Sequence, residues 1–172
     1  MADMPKKEQI MSDAYARTGA TGDRTTAGRA TVQRAAMVVG AVFLLVGVLG
    51  FVPGITTDYG QMSFASHDSD AKLLGIFQVS VLHNIVHLLF GIVGLLAART
   101  VAGAKSFLVV GGLVYLVLWL YGLVIDKDSA ANFVPLNTAD DWLHFVLGLG
   151  MVAMGLLLTR RAVGPADRGT HV

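Results

Sequence analysis

Residues 80–98 read SVLHNIVHLLFGIVGLLAA, nineteen positions without a charged side chain, and Arg99 closes the run. The apolar stretch to which it belongs begins at Leu73, so it is longer than the roughly 20 residues a helix needs to cross about 30 Å of hydrocarbon. At 100° per residue, Ser80, His83, Asn84, His87, Gly91, Gly94 and Ala98 fall on a single helix face. Every polar side chain of the run lies on that face. Polar and ionisable groups at membrane depth turn toward other helices or water-filled cavities, never toward lipid. The stretch therefore predicts one span of a helical membrane bundle with a polar inner face.

The same reading extends outward in both directions. Continuous apolar segments predict spans at 34–53, 74–98, 105–125 and 141–159, ended by Pro53-Gly54, Arg99, Asp126-Lys127-Asp128 and Arg160-Arg161. The predicted fold class is all-α: an integral membrane four-helix bundle made of two tandem helical hairpins. Of 172 residues, 54% are hydrophobic and 15% charged, and the mean hydropathy is +0.63, a balance that points to lipid as the principal solvent. Residues 1–33 are polar and basic, with too few large apolar side chains to offset their ordering entropy. They read as a disordered cytoplasmic tail, and 162–172 as a second, short one. Trp119, Tyr121 and Trp142 stand near span ends, where aromatic side chains anchor at the interface. Cysteine is absent, which excludes disulfides, thiolate metal sites and a cysteine nucleophile.

Charge sets the orientation. Of the 13 basic residues, 11 lie in the amino-terminal tail, the 99–105 turn and the carboxy-terminal side, while the opposite loops hold only Lys72 and Lys127 against seven aspartates. The positive-inside rule places both termini in the cytoplasm and those acidic loops outside, which implies a plasma-membrane, multi-pass protein. A net charge of +1 gives no reason to expect a nucleic-acid partner.

An internal repeat underlies the four spans. Asn84-Ile-Val-His87-Leu-Leu-Phe-Gly91 and Asp141-Trp-Leu-His144-Phe-Val-Leu-Gly148 share the pattern [N/D]-x-φ-H-φ-φ-φ-G, with φ apolar. Val38-Val39-Gly40 and Val109-Val110-Gly111 echo each other more weakly. Two hairpins of one orientation would place His87 and His144 in equivalent positions; the competing explanation is chance matching in a Gly/Leu/Val-rich alphabet. Ala36, Gly40, Phe43, Gly47 and Gly50 make a stripe on the first span, and Asp141, His144, Gly148 and Gly155 one on the fourth. Small residues let backbones approach, so Gly40, Gly47, Gly91 and Gly148 are expected at helix contacts.

Chemistry concentrates at the predicted outer half, and several readings stay open. His83 and His87, at i and i+4, could share a metal ion completed by His144 and Asp141. His87 and His144 could instead be the axial ligands of a haem, although a level plane then needs a tilt or a kink. A third reading is a proton-responsive network, or a pocket for a polar headgroup or a quinone. The bland alternative makes each histidine an interhelical hydrogen-bonding group, with Asn84 and Ser80 in the same polar network and Asp141 capping the fourth helix. No nucleophile and base pair or phosphate-cradling loop is present. The sequence thus favours a non-catalytic packing or accessory protein that assembles with itself or with a larger membrane complex through glycine faces. A metal- or haem-binding redox or sensor protein is the alternative.

The run HNIVHLLFGIVGLLAAR, taken with NTADDWLHFVLGLGM, resembles a family of four-helix membrane proteins of unknown function common in actinobacteria. The resemblance covers about residues 33–161 and rests on paired H-N-x-x-H-x-x-x-G and A-D-[DN]-x-x-H segments, matched at His83, Asn84, His87, Gly91, Ala139, Asp140, Asp141 and His144. It implies the architecture and a bacterial plasma-membrane location, and no activity.

Overall fold

The computed structural model describes residues 5–162, so the tail expected at 162–172 lies, from 163 on, outside the described residues. The chain is mainly helical: α1 (Lys6–Leu49), α2 (Val81–Ala97), α3 (Val101–Val124) and α4 (Thr138–Ala162), with a small meander of β1 (Thr56–Thr57), β2 (Lys72–Leu73) and β3 (Phe77–Gln78) between α1 and α2. Three helical segments are long and apolar enough to cross a membrane, Thr26–Leu49, Val101–Val124 and Thr138–Thr159, and Val81–Ala97 is a shorter apolar helix.

Helix ends follow local chemistry. Ser80 caps α2 by accepting a hydrogen bond from the His83 N–H at 3.1 Å, and Thr100 caps α3 by accepting one from the Gly103 N–H at 3.0 Å. Ahead of α4, Asn137 Oδ1 accepts from the N–H groups of Ala139 and Asp140. Asp140 and Asp141 sit in the first turn of α4, where the helix dipole favours negative charge. Residues 74–80, read from their apolar run as the start of the second span, instead form the turn and third strand of the meander. Leu74 and Gly75 adopt positive φ of 55° and 71°, which a helix cannot accommodate. The first helix also begins earlier than the span expected from residue 34: Val32 and Ala36 are fully buried, and the Gln33 side chain donates to the carbonyls of Ala98 and Arg99, at 3.0 Å each, tying α1 to the α2–α3 turn.

The helices pack as two antiparallel pairs through glycine. A Cβ on Gly40 would stand 2.9 Å from the Leu95 nitrogen, and one on Gly91 2.8 Å from the Gly40 carbonyl oxygen. In the second pair, a Cβ on Gly112 would stand 2.7 Å from the Gly148 carbonyl oxygen and 2.9 Å from the Val152 nitrogen. The pairs are built alike: Leu44 packs on Gly91 as Leu116 packs on Gly148, and Asn84 lies against Gly50 as Asp141 lies against Gly122. Residues of α1 thus correspond to residues 72 positions later in α3, and residues of α2 to residues 57 positions later in α4. This repeat makes Gly40 the equivalent of Gly112, one residue beyond the match suggested by Val109-Val110-Gly111. Adjacent Gly111 turns to Phe90 and Met151 instead.

Between the pairs, Phe43 of α1 and Tyr115 of α3, themselves equivalent, meet with ring centroids 5.2 Å apart. Phe90 of α2 packs on Phe43, Tyr115 and Phe107. The meander closes one end of the molecule over Val46 and Leu49 through buried Ala71, Leu73 and Val79.

The seams give a direct stability test. Gly112→Val drives a branched side chain into backbone with no freedom to yield, and should cost about 1–3 kcal/mol, read as a lowered thermal midpoint in detergent. Gly150→Ala, where nothing lies within 4 Å, should leave the midpoint unchanged or slightly raised. Equal midpoints for the two variants would contradict the seam.

Candidate functional site

All seven residues of the α2 face are buried, Ser80, His83, Asn84, His87, Gly91, Gly94 and Ala98. So are Ala36, Gly40, Phe43, Gly47 and Gly50 of α1, and Asp141, His144, Gly148 and Gly155 of α4. Burial collects the polar side chains at the end of the helices that carries the meander and the 125–137 loop.

Three of them meet. His83, His87 and His144 line one cavity of about 140 Å³, with Tyr115, Leu118 and Leu136 among its other walls. The His83 and His87 rings stack with centroids 4.5 Å apart and planes 21° from parallel. His87 Nδ1 lies 3.0 Å from the His83 carbonyl oxygen; a carbonyl only accepts, so Nδ1 carries the proton and Nε2 keeps the lone pair. Tyr115 meets His144 edge to face at 5.0 Å, the counterpart of the Phe43–His87 contact at 5.6 Å in the first pair. His83 Nδ1 and His144 Nδ1 are both buried without a hydrogen-bond partner.

The other polar residues are engaged elsewhere. Asp141 Oδ2 pairs with Lys127 Nζ at 2.6 Å, and the same ammonium donates to the Gly122 carbonyl at 2.9 Å. Lys127, a loop residue that sequence reasoning used only for topology, therefore belongs to the polar layer; its fourteen-residue separation from Asp141 gives no helical signal. Asp140 Oδ2 accepts from the backbone of Gln78 at 3.1 Å and of Asn137 at 2.9 Å, tying the meander to α4. The Asn84 amide lies 3.9 Å from Met62 Sδ, and Ser80 is spent as a cap. Asn132 braces the roof of the cavity, accepting from the Leu136 N–H at 2.9 Å and donating to the carbonyls of Leu136 and Lys127.

This arrangement bears on the ligand readings. Among the described residues, no group of three or more histidine, aspartate or glutamate side chains is placed to hold a metal ion. The His83 and His87 rings lie stacked, 21° from parallel, so their in-plane lone pairs run side by side rather than toward one ion, and Asp141 Oδ2 is paired with Lys127. A porphyrin far exceeds 140 Å³, whereas an engineered cavity of roughly 150 Å³ in another protein holds one benzene.

A family model described as a domain of unknown function, DUF4383, matches residues 33–157. No curated protein and no solved structure matches the chain.

The ion pair yields the next expectation. Lys127→Met strands a buried carboxylate and should lower stability by about 2–3 kcal/mol; adding Asp141→Asn should recover most of it. Additive losses in a thermal double-mutant cycle would show that the two groups do not interact.

Proposed function

We propose a role for a chain that belongs to the DUF4383 family: a non-catalytic accessory protein of the plasma membrane, four spans in two tandem hairpins, with both termini in the cytoplasm. The observation that carries the reading is an inverted surface. Val110, Leu113, Val117, Leu120 and Val124 of α3 are half or more exposed, as are Met37, Val38, Leu45 and Val48 of α1, while the histidines, Asn84 and Asp141 are buried. In water such a surface would aggregate; in a bilayer each exposed side chain meets lipid. The 17 residues of α2 reach about 26 Å at 1.5 Å per residue, at the lower bound for a span, and the small shortfall is met by bilayer thinning and flanking polar residues.

The accessory role follows from what the polar groups do. Asp140, Asp141, Asn132 and Ser80 hold the loops and helix starts in place. The glycine faces, expected from sequence to serve partners, are filled within the protomer. Contacts with a second copy or a larger complex therefore use the exposed aliphatic surface or the meander. The alternative of a metal- or haem-binding redox or sensor protein draws on the unpartnered nitrogens of His83 and His144, and on no converging ligand set.

Because the chain contains no cysteine, single cysteines can map the topology. Gly60→Cys and Ala130→Cys, both at exposed loop positions, should react with a membrane-impermeant maleimide on intact cells. Ala102→Cys should react only after permeabilisation. Labelling of Ala102→Cys on intact cells would overturn the orientation.

A further inference from the structure

The repeat that builds the helices also builds the cavity twice, and the two copies differ. Under the 72- and 57-residue correspondence, Tyr115, Leu118 and Val86 of the histidine-lined cavity answer to Phe43, Val46 and Leu143. Those three residues line a second cavity, of about 210 Å³, on the α1–α4 side. His87 is the one histidine there, shared between both cavities. The second cavity is otherwise apolar: it keeps the counterpart of His144, which is His87 itself, and lacks counterparts of His83, of His87 and of the tyrosine hydroxyl. A cluster of three histidines is therefore no requirement of helix packing at this place in the repeat. These histidines also make poor packing groups, since His83 Nδ1 and His144 Nδ1 lie buried and unpartnered, a state that costs stability.

We infer that the His83/His87/His144 cavity binds the ring of a neutral, quinol-type lipid: a hydroxylated aromatic head on an apolar tail. Each part of that chemistry has a counterpart in the walls. No charged side chain lines the cavity, so a phosphate or ammonium headgroup would lose its hydration without compensation. The volume of about 140 Å³ fits one six-membered ring, and Tyr115, Tyr121 and Phe133 are its aromatic walls. The His87 Nε2 lone pair accepts from a ring hydroxyl, and His83 and His144, whose buried Nδ1 atoms have no partner in the free chain, complete the polar part of the lining. Val86 and Phe133, 44% and 57% exposed at the cavity wall, give the tail an apolar way out into the bilayer between α2 and the roof. Binding alone is proposed, with no electron transfer.

The inference rests on the membrane reading above, but the cysteine labelling needs no ligand, so either can fail without the other. The test is thermal denaturation of the full chain in detergent, titrated with a decyl-tailed benzoquinol, its quinone, a phosphatidylglycerol and zinc ion. The quinol should raise the midpoint saturably at one per chain, and bind more tightly than the quinone, whose oxygens cannot donate to His87. The double variant His83→Leu/His144→Leu should weaken binding about tenfold or more. Val86→Phe, which fills the cavity and leaves the histidines intact, should do the same, while Leu143→Phe in the second cavity should not. No saturable shift with the quinol, a shift indifferent to Val86→Phe, an equal shift with the phospholipid, or a larger zinc shift abolished by the histidine variant would each overturn the inference.

Discussion

Two helix backbones touch at Gly40 and Gly91, and two more at Gly112 and Gly148, with less room between them than a methyl group occupies. Lipid is as apolar as leucine, so helices immersed in it gain nothing from burying apolar area against one another. Close van der Waals contact and backbone approach must hold them together. The glycine seams provide that contact within each pair, and they fix the height of everything else. With Gly91 seated beside Leu44, His87 arrives beside Phe43; with Gly148 beside Leu116, His144 arrives beside Tyr115. The Phe43–Tyr115 contact then joins the pairs, and the polar ends of α2 and α4 are brought under the meander and the 125–137 loop.

The repeated geometry buries polar groups in pairs, and the two members of each pair have different surroundings. Asn84 and Asp141 occupy equivalent places against Gly50 and Gly122, yet only Asp141 has acquired an ammonium partner, Lys127. His83 corresponds to Asp140, whose Oδ2 accepts from the backbone N–H groups of Gln78 and Asn137. His83 stacks on His87 and leaves a nitrogen idle. Asp141 Oδ1 is likewise buried without a partner, so an unpaired atom does not by itself set a position apart from packing. The idle nitrogens belong to His83 and His144, two residues of the same cavity.

Much of this was legible from periodicity. The 3.6-residue spacing of Ser80, His83, Asn84, His87 and Gly91 marks one face, and that face is buried. The motif shared by residues 84–91 and 141–148 marks the repeat, and the contacts follow it. Three features left no such trace. The part of the β-meander over 74–78 reads as helix because Leu74, Ile76 and Phe77 continue the apolar run that begins at Leu73, and only the backbone at Leu74 and Gly75 reveals the turn. The equivalence of Gly40 with Gly112 is masked by a second glycine next door. The Lys127–Asp141 pair joins a loop to a helix start, a distance in sequence that no local pattern spans. The second, largely apolar cavity is invisible for a related reason: its wall is drawn from α1 and α4, at opposite ends of the chain, with His87 of α2 between them.

The account turns on whether the histidine layer is structural, and thermal unfolding of ligand-free His83→Leu/His144→Leu protein in detergent answers that most directly. Leucine removes two buried nitrogens that lack partners, each of which costs about 1–3 kcal/mol in the folded chain, and it keeps the volume filled. The midpoint should therefore equal or exceed that of the wild type. A fall of several degrees, with the cavity sealed by apolar side chains, would make the histidines part of the scaffold and contradict the account.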